Sequence, residues 1–303
     1  MDRSPTSASS CTTGASPDAY SIVILTKDEA INIGACLQSC RACDDIHVLD
    51  SGSSDNTCDL AAAMGATVHR HAFESFARQR NWAIDNVPLR HDWVLHLDAD
   101  ERLTPALDAE LRALVESRPQ EAGFYVPSKL MFMGRWLRRT AGPMYQVRFF
   151  DRRRLRFVDY GHGQREQTDG ALGTVRAPYL HESFSKGLET WFEKHNRYSS
   201  AEAAQAIAAL SEAMPWRDLM SLDGIRRRRA LKVLAYRLPL RAQLRWIYMA
   251  LLRGGFLDGR AGLAYISLMT SYEQMTTSKI KWLRTVPEPE RARLDEGVRQ
   301  GVG

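Results

Sequence analysis

No part of this sequence is apolar for long enough to cross a bilayer. In the second half the longest unbroken apolar run is Trp246–Leu252, far short of the roughly 20 residues a spanning helix needs. Cysteine is scarce: five residues in 303, all within the first 58, an odd number that argues against a disulfide scaffold and for reduced thiols. Glycine loops of the GxGxxG and GxxxxGK[ST] kinds are missing, which weakens dinucleotide-dehydrogenase and P-loop readings. Residues 1–18, rich in Ser, Thr, Ala and Pro, hold no apolar segment fit for a signal-peptide core. The expectation is a disordered tail at 1–18, a loose tail at 286–303 and a cytoplasmic location.

The remaining composition is that of an ordinary globular protein. It is 44% apolar and 25% charged, with 41 basic and 36 acidic side chains giving a net charge of +5. Such a chain buries a real core, as one large domain or a domain with an appendage.

From Tyr20 apolar runs alternate with helical stretches. Strands are expected at Ser21–Thr26, Ile46–Asp50, Thr67–His71 and Trp93–Leu97, with helices near 29–40, 55–64 and 76–86. This βα alternation implies a mostly parallel sheet covered by helices. After Gly123 shorter strand-like runs (124–126, 146–150, 156–158, 174–179) suggest an antiparallel extension, and from Ser185 the period is helical, broken at Pro215 and Pro239. The expected divisions are 19–120, 121–184 and 185–285.

In open α/β sheets ligands sit beyond the carboxyl ends of the strands. That rule selects Thr26-Lys27-Asp28-Glu29, Asp50-Ser51-Gly52-Ser53-Ser54-Asp55 and Asp98-Ala99-Asp100-Glu101. Asp98 and Asp100, two apart on extended backbone, point the same way and would converge on one hard cation, Mg²⁺ or Mn²⁺, with a diphosphate completing its shell. A lone pair of this kind is often a helix cap beside a solvated residue; the strand before it and the two companion loops favour the metal. Asp50 would accept hydrogen bonds from a base or ribose, or serve its own turn, while Ser54 or Asp55 caps the following helix.

Four ordered segments, Ser21–Glu29, Val48–Asp55, Phe76–Asn81 and Leu97–Glu101, resemble the nucleotide-sugar half of family 2 glycosyltransferases. Val147–Arg152, Tyr160–Glu166, Tyr179–His181, Lys194–Ser199 and Gly255–Gly259 extend the resemblance to the branch typified by lipopolysaccharide-core and exopolysaccharide enzymes. The resemblance covers roughly residues 20–285. It implies a GT-A fold, a nucleotide-sugar donor, usually a uridine diphosphate sugar, a divalent metal and inversion at the anomeric carbon. Carried over by position, Thr26, Glu29, Asp50, Arg80, Asn81 and Asp98 would bind the donor, with Arg78 as the alternative to Arg80. Asp28 stands where the family more often has Asn. Asp98 and Asp100 would hold the metal, and His181 would be a third ligand or a diphosphate contact. Glu166 would be the base that takes the acceptor's proton, with His162 ahead of it at a spacing that departs from the family's adjacent His-Glu. Lys194 and Arg197 would neutralise diphosphate or form a solvated helix face.

Cys36, Cys40 and Cys43 have the CxxxCxxC spacing of iron–sulfur radical enzymes. With Ile33 and Leu37, however, Cys36 and Cys40 fall on one helix face, where cysteine acts as a small hydrophobe. Between Gly224 and Leu257 nine basic residues occur without an acidic one, interleaved with Leu, Ile, Tyr, Trp and Met. Arg226, Arg227, Arg228, Arg229, Arg241, Arg245 and Trp246 are therefore expected on an amphipathic surface that lies on anionic lipid. No nucleic-acid-binding signature accompanies them, and nucleic acid is not expected as a partner.

The reading is a metal-dependent inverting glycosyltransferase, peripheral on the inner face of the cytoplasmic membrane. It would move a hexose-type sugar from a nucleotide donor to a lipopolysaccharide core or lipid-linked glycan. A sugar nucleotidyltransferase would need a Gly-rich basic loop where Thr26–Glu29 stands. A non-catalytic glycan- or membrane-binding module would tolerate loss of Asp100.

Overall fold

The structure, a computed structural model, describes residues 20–160 and 163–285. Both expected tails and His162 lie outside the described residues. The chain forms two compact units, one taking in the residues up to Pro127 with Tyr145–Tyr179, the other Ser128–Met144 with the chain from Leu180 onward.

The first unit starts with β1 (Ser21–Thr26), α1 (Ala30–Cys40), β2 (Ile46–Asp50), α2 (Thr57–Ala63), β3 (Thr67–Arg70), α3 (Phe76–Asn86), β4 (Trp93–Asp98), β5 (Glu101–Arg102) and α4 (Pro105–Glu116). Then come β6 (Gly123–Phe132), β7 (Arg135–Trp136), β8 (Tyr145–Asp151), β9 (Arg156–Tyr160), β10 (Gly163–Gln167), β11 (Leu172–Thr174) and β12 (Tyr179–His181); β6 and β12 carry the chain into the second unit, which holds β7. β1 pairs in parallel with β2 and β4, and β2 with β3, giving the order β3-β2-β1-β4. Beyond β4 the sheet turns antiparallel through β8 and β6, while β9 and β10 form a separate ribbon. The fold class expected from the sequence is thus the one observed. The expected halves 19–120 and 121–184 are joined through one sheet, since β8 hydrogen-bonds directly to β4, with Trp93 opposite Asp151.

Strands buried on both faces have near-continuous apolar runs. Ile22, Ile24, Val48, Leu95 and Leu97 pack with Ile33, Cys36, Leu37 and Cys40 of α1 and with Leu107 and Leu111 of α4. Val23, Leu49 and Val94 face the other way, onto Ala77, Ala83 and Ile84 of α3. The cysteines of the CxxxCxxC spacing are buried in the first of these cores. Residues 174–179 are not a single strand: the amides of Arg176 and Ala177 turn aside to the Glu110 carboxylate (2.9 and 2.7 Å), and the ladder resumes at Tyr179.

At the amino ends of the strands Asp45, 5% exposed, accepts from Ser21 Oγ (2.5 Å), His47 Nε2 (3.0 Å) and the Arg90 amide (2.9 Å). Burial works to raise its pKa, but hydrogen bonds from His47, Ser21 and Arg90 hold it well below the usual carboxylate range. A depressed folded-state value contributes stability that is fully present above about pH 4 and lost as pH falls. Asp45→Asn is therefore expected to lower stability at pH 7 by about 2–3 kcal/mol. It should also flatten the acid limb of a urea-unfolding series between about pH 4 and 2, and an unchanged limb would remove this assignment.

The second unit is helical: α5 (Gly187–Ser211), α6 (Gly224–Arg237), α7 (Arg241–Ile247) and α8 (Gly259–Thr285), with irregular turns Trp216–Met220, Tyr248–Leu252 and Gly255–Asp258 between them. The breaks fall at Pro215 and Pro239 as the sequence suggests. The Gly255–Gly259 segment is a clamp. Asp258 Oδ2 accepts the amides of Arg139 (2.9 Å) and Thr140 (2.7 Å) and the Thr140 hydroxyl (2.5 Å). Gly262 lets α8 approach so closely that a Cβ there would stand 2.4 Å from the Gly255 carbonyl oxygen. No described helix is long and apolar enough to cross a membrane.

Candidate active site

β1, β2 and β4 end side by side, Thr26 level with Asp50 and Leu25 with Asp98, so the turns that follow share one edge of the sheet. Two of these turns are sewn together. The Asp28 amide donates to Ser53 Oγ (2.8 Å), that of Ser54 to Asp28 Oδ1 (2.7 Å), and that of Glu29 to Thr57 Oγ1 (2.8 Å). Asp28 has φ 53°, a left-handed conformation that Asn and Asp adopt more readily than most residues, which explains why Asp serves where Asn is commoner. Its hydrogen bond from the Ser54 amide holds its carboxyl below the ordinary range. Glu29 accepts from Asn32 Nδ2 (2.6 Å) across the first turn of α1. Of the two roles expected of Asp50, contact with a base or ribose and service to its own turn, the second is the one on view. Asp50 is 1% exposed and serves its own turn, accepting the amides of Gly52 and Ser53 (3.0 Å each) and the Ser53 hydroxyl.

Charge concentrates at Asp98. Its carboxylate accepts from Arg80 Nη2 (3.2 Å) and from Arg148 Nη1 (3.3 Å) and Nη2 (2.7 Å). Arg148 Nη2 also donates to Glu101 Oε1 (2.5 Å), whose other oxygen accepts the Asp98 amide (2.9 Å). Two cations and two carboxylates close a balanced quartet in which Arg80, Arg148 and Glu101 are buried and Asp98, 42% exposed at its side chain, faces outward. Burial, then the nearby Arg148, push the Arg80 guanidinium down to about 10. Arg148 is buried too, which works against its charge, yet Asp98 and Glu101 hold it more firmly protonated than a free guanidinium. Arg80 Nε and Nη1 and the Thr26 hydroxyl are buried with no hydrogen-bond partner, so donor capacity remains behind the strand ends. His96, packed edge-on to Phe150 (4.9 Å), is kept neutral by burial and by both arginines.

Arg148 and Glu101 lie in segments that the sequence singles out, Val147–Arg152 and Asp98–Glu101, but neither was named there as a site residue. Opposite β6, Phe124 faces Phe149 but Tyr125 faces Val147, leaving Arg148 as the extra residue of a β-bulge. The bulge aims a guanidinium out of a strand whose other members, Val147, Phe149 and Phe150, enter the two cores. A lone Arg inside the run Val147–Phe150 was the available signal.

Of the two candidate arginines on α3, Arg80 joins the quartet, whereas Arg78 is exposed and paired with Glu74. Asn81 pairs like a strand residue with Phe157, donating to its carbonyl (2.8 Å) and accepting its amide (2.9 Å), so its amide group fastens β9 rather than facing a nucleotide. Glu166, on β10, accepts from the Tyr125 hydroxyl (2.5 Å), which pushes that phenol up to about 12.

Asp98 and Asp100 are hard oxygen donors, partly exposed on the turn after β4. They fit Mg²⁺ or Mn²⁺, which keep positions for water and substrate phosphate. Among the described residues no group of three or more His, Cys, Asp or Glu gathers to hold a metal. His181 ends β12 and belongs to the second unit.

In that unit Lys194 and Arg197 lie on the exposed side of α5, Lys194 over the Tyr198 ring (5.7 Å). Arg226, Arg227 and Arg228 are exposed, and the side chain of Arg229 lies outside the described residues. The expectation fails for Arg241 and Arg245. Both turn inward onto Glu273, Arg245 Nη1 at 2.8 Å, and Arg241 is only 11% exposed at its side chain. Trp246 is 39% exposed.

An α/β sheet with paired carboxylates beyond its fourth strand has its candidate ligand site at the carboxyl ends of the strands. The chain belongs to the glycosyl transferase family 2, whose model matches residues 21–175. It is 25% identical over 201 residues to the lipopolysaccharide core biosynthesis glycosyltransferase LpsC of Rhizobium meliloti (strain 1021), covering 62% of this chain and 71% of LpsC. That likeness agrees with the branch suggested by the sequence segments. An uncharacterized glycosyltransferase of Rickettsia bellii (strain RML369-C) is 32% identical over 116 residues, 38% of this chain and 39% of that protein, so the chain spans about two-fifths of that relative's length. Among solved structures, mannosyl-3-phosphoglycerate synthase from Rubrobacter xylanophilus is similar at 20% identity and a TM-score of 0.33, over 44% of this chain and 53% of that one.

Proposed function

We propose that this chain transfers a sugar, a hexose, from a nucleotide-sugar donor of the uridine diphosphate kind to a cell-envelope glycan, with inversion at the anomeric carbon. The observation that carries this reading is the buried Arg80–Arg148–Glu101 frame, which presents Asp98 beside Asp100 at the carboxyl end of β4. Family membership supports the reaction class, and the name of LpsC supports an envelope acceptor.

Asp98 and Asp100 would hold Mg²⁺ or Mn²⁺, which when bound supplies positive charge against the departing diphosphate. The sewn turns Lys27–Glu29 and Ser51–Asp55 form a rigid floor beneath the donor, and the quartet fixes the Asp98 carboxylate before the donor arrives, so little reorganisation is left to the reaction. On the opposite face Glu166 takes the acceptor hydroxyl's proton through Oε2, its Oε1 being oriented by Tyr125. Glu166→Gln is expected to lower transfer by about 10²–10⁴-fold, read in a transfer assay with Mn²⁺ across several nucleotide sugars. Full activity in that variant would move the base elsewhere, and no turnover of any donor by the wild-type chain would remove the transferase reading.

The chain works on the inner face of the cytoplasmic membrane. Support comes from exposed Leu240, Ile247, Leu251, Leu252, Phe256 and Leu257, with Arg226, Arg227 and Arg228 exposed on α6. Each basic residue near an anionic surface contributes about 1 kcal/mol, so Arg226, Arg227 and Arg228→Ser together should weaken binding to anionic vesicles about a hundredfold. Flotation assays check this, and unchanged flotation of the triple variant would refute it.

A further inference from the structure

The second unit encloses a cavity of about 770 Å³, large enough for a substantial organic ligand, and every residue lining it comes from that unit. Its wall has two chemistries. One part is apolar, built from Leu130, Phe184, Leu244, Met249 and Met269. The other carries four cationic side chains, Lys232, Arg241, Arg245 and Arg253, against two carboxylates, Glu202 and Glu273.

Both carboxylates have partners from within, Glu273 Oε1 through its ion pair with Arg241 and without a hydrogen bond. Glu273 is gripped by Arg241 and Arg245, and Glu202 accepts the hydroxyls of Tyr236 (3.1 Å) and Tyr272 (2.6 Å). The cations are less completely used. Arg241 Nη1 is buried with no hydrogen-bond partner, a donor that is destabilising until something supplies an acceptor. Arg253 donates to the Ala141 carbonyl (3.2 Å), and Lys232 stands 3.8 Å from Glu202 with its side chain 55% exposed. His195 stacks on Trp191 (3.6 Å) and uses Nδ1 on the Trp191 carbonyl (2.8 Å), which leaves Nε2 able to accept from a hydroxyl.

A surplus of two positive charges matches a phosphomonoester, which carries about −1.5 to −2 at pH 7 and presents oxygens to the guanidinium fork. The cavity's lining includes half-exposed Leu244 and Tyr248, and the chain continues from them into exposed Leu251 and Leu252. An apolar ligand segment would enter on that side. We infer that this cavity binds an amphiphilic phosphomonoester, its phosphate on Arg241, Arg253 and Lys232 and its apolar segment along the Leu and Met wall.

The probe is dodecyl phosphate below its micellar concentration, titrated calorimetrically into the full chain, with inorganic phosphate and dodecyl maltoside as the separate charge and hydrocarbon arms. Dodecyl phosphate is expected to bind at least tenfold tighter than either. Arg241→Lys keeps a charge for Glu273 but removes the Nη1 donor, and Lys232→Gln with Arg253→Gln removes two cations at partly exposed positions. Each variant should lose at least tenfold for dodecyl phosphate and nothing for dodecyl maltoside, with the melting temperature of the double variant unchanged. Inorganic phosphate binding as tightly as dodecyl phosphate overturns the proposal, as does dodecyl maltoside doing so, or wild-type affinity in both variants. Donor hydrolysis by the wild-type chain is measured alongside. Hydrolysis without dodecyl phosphate binding counts against the cavity alone, and binding without hydrolysis counts against the transferase reading alone.

Discussion

Arg148→Met is expected to destabilise the first unit by about 3–5 kcal/mol, a large share of the 5–15 kcal/mol that holds a typical domain folded. The guanidinium touches two carboxylates, and Glu101 is fully buried. Removing the cation takes from buried Glu101 the guanidinium that donates to Oε1 and leaves the more distant Arg80 as the remaining charge of the quartet, so much of the desolvation cost is no longer offset. Arg80 survives the substitution but reaches Asp98 through a single 3.2 Å contact. The double variant Arg148→Met, Glu101→Gln removes the stranded charge together with its partner and should recover at least half the loss. Urea unfolding followed by tryptophan fluorescence gives both values. A single variant within about 1 kcal/mol of wild type would show that the quartet contributes little to folding.

The same quartet marks where the sequence was legible and where it was not. Asp98 was found because it follows a local rule, a carboxylate at a strand's carboxyl end, whereas Arg80 came from the resemblance of the Phe76–Asn81 segment, with Arg78 as its alternative. Arg148 follows none, since its place depends on a bulge, and a bulge is a fact about two strands rather than one. The parallel order β3-β2-β1-β4 was readable from the alternation of apolar runs with helical periods, whereas the split of 174–179 depended on Glu110, over 60 residues away. Asp50 was read as a ligand, yet Gly52 and Ser53 behind it make the more local claim on its oxygens. In the helical unit the run Arg226–Arg229 spreads around the axis of α6, whereas Arg241 and Arg245, four apart, share one face of α7. What turns Arg241 and Arg245 inward is Glu273, on a helix that begins 14 residues after Arg245.

Asp100→Ala is expected to cut sugar transfer by at least about a hundredfold while leaving stability within about 1 kcal/mol of wild type. Asp100 is partly exposed on the turn after β4, and its loss leaves the contacts of Asp98 with Arg80 and Arg148 in place. Asp98→Ala would be the weaker test, because it also strips both arginines of their shared carboxylate and confounds activity with folding. A metal ion that stabilises a departing diphosphate contributes several kcal/mol, and each 1.36 kcal/mol is a factor of ten in rate. Losing one of the two proposed ligands should therefore cost two decades or more. Part of the loss should return as Mn²⁺ is raised, since weakened affinity is recovered by mass action. Glu166→Gln should show no such recovery, because a missing proton acceptor is indifferent to metal concentration. Transfer rates measured across a Mn²⁺ series for the wild-type chain and both variants separate the two roles, and undiminished activity in Asp100→Ala at low Mn²⁺ would leave the paired carboxylates without a metal to hold.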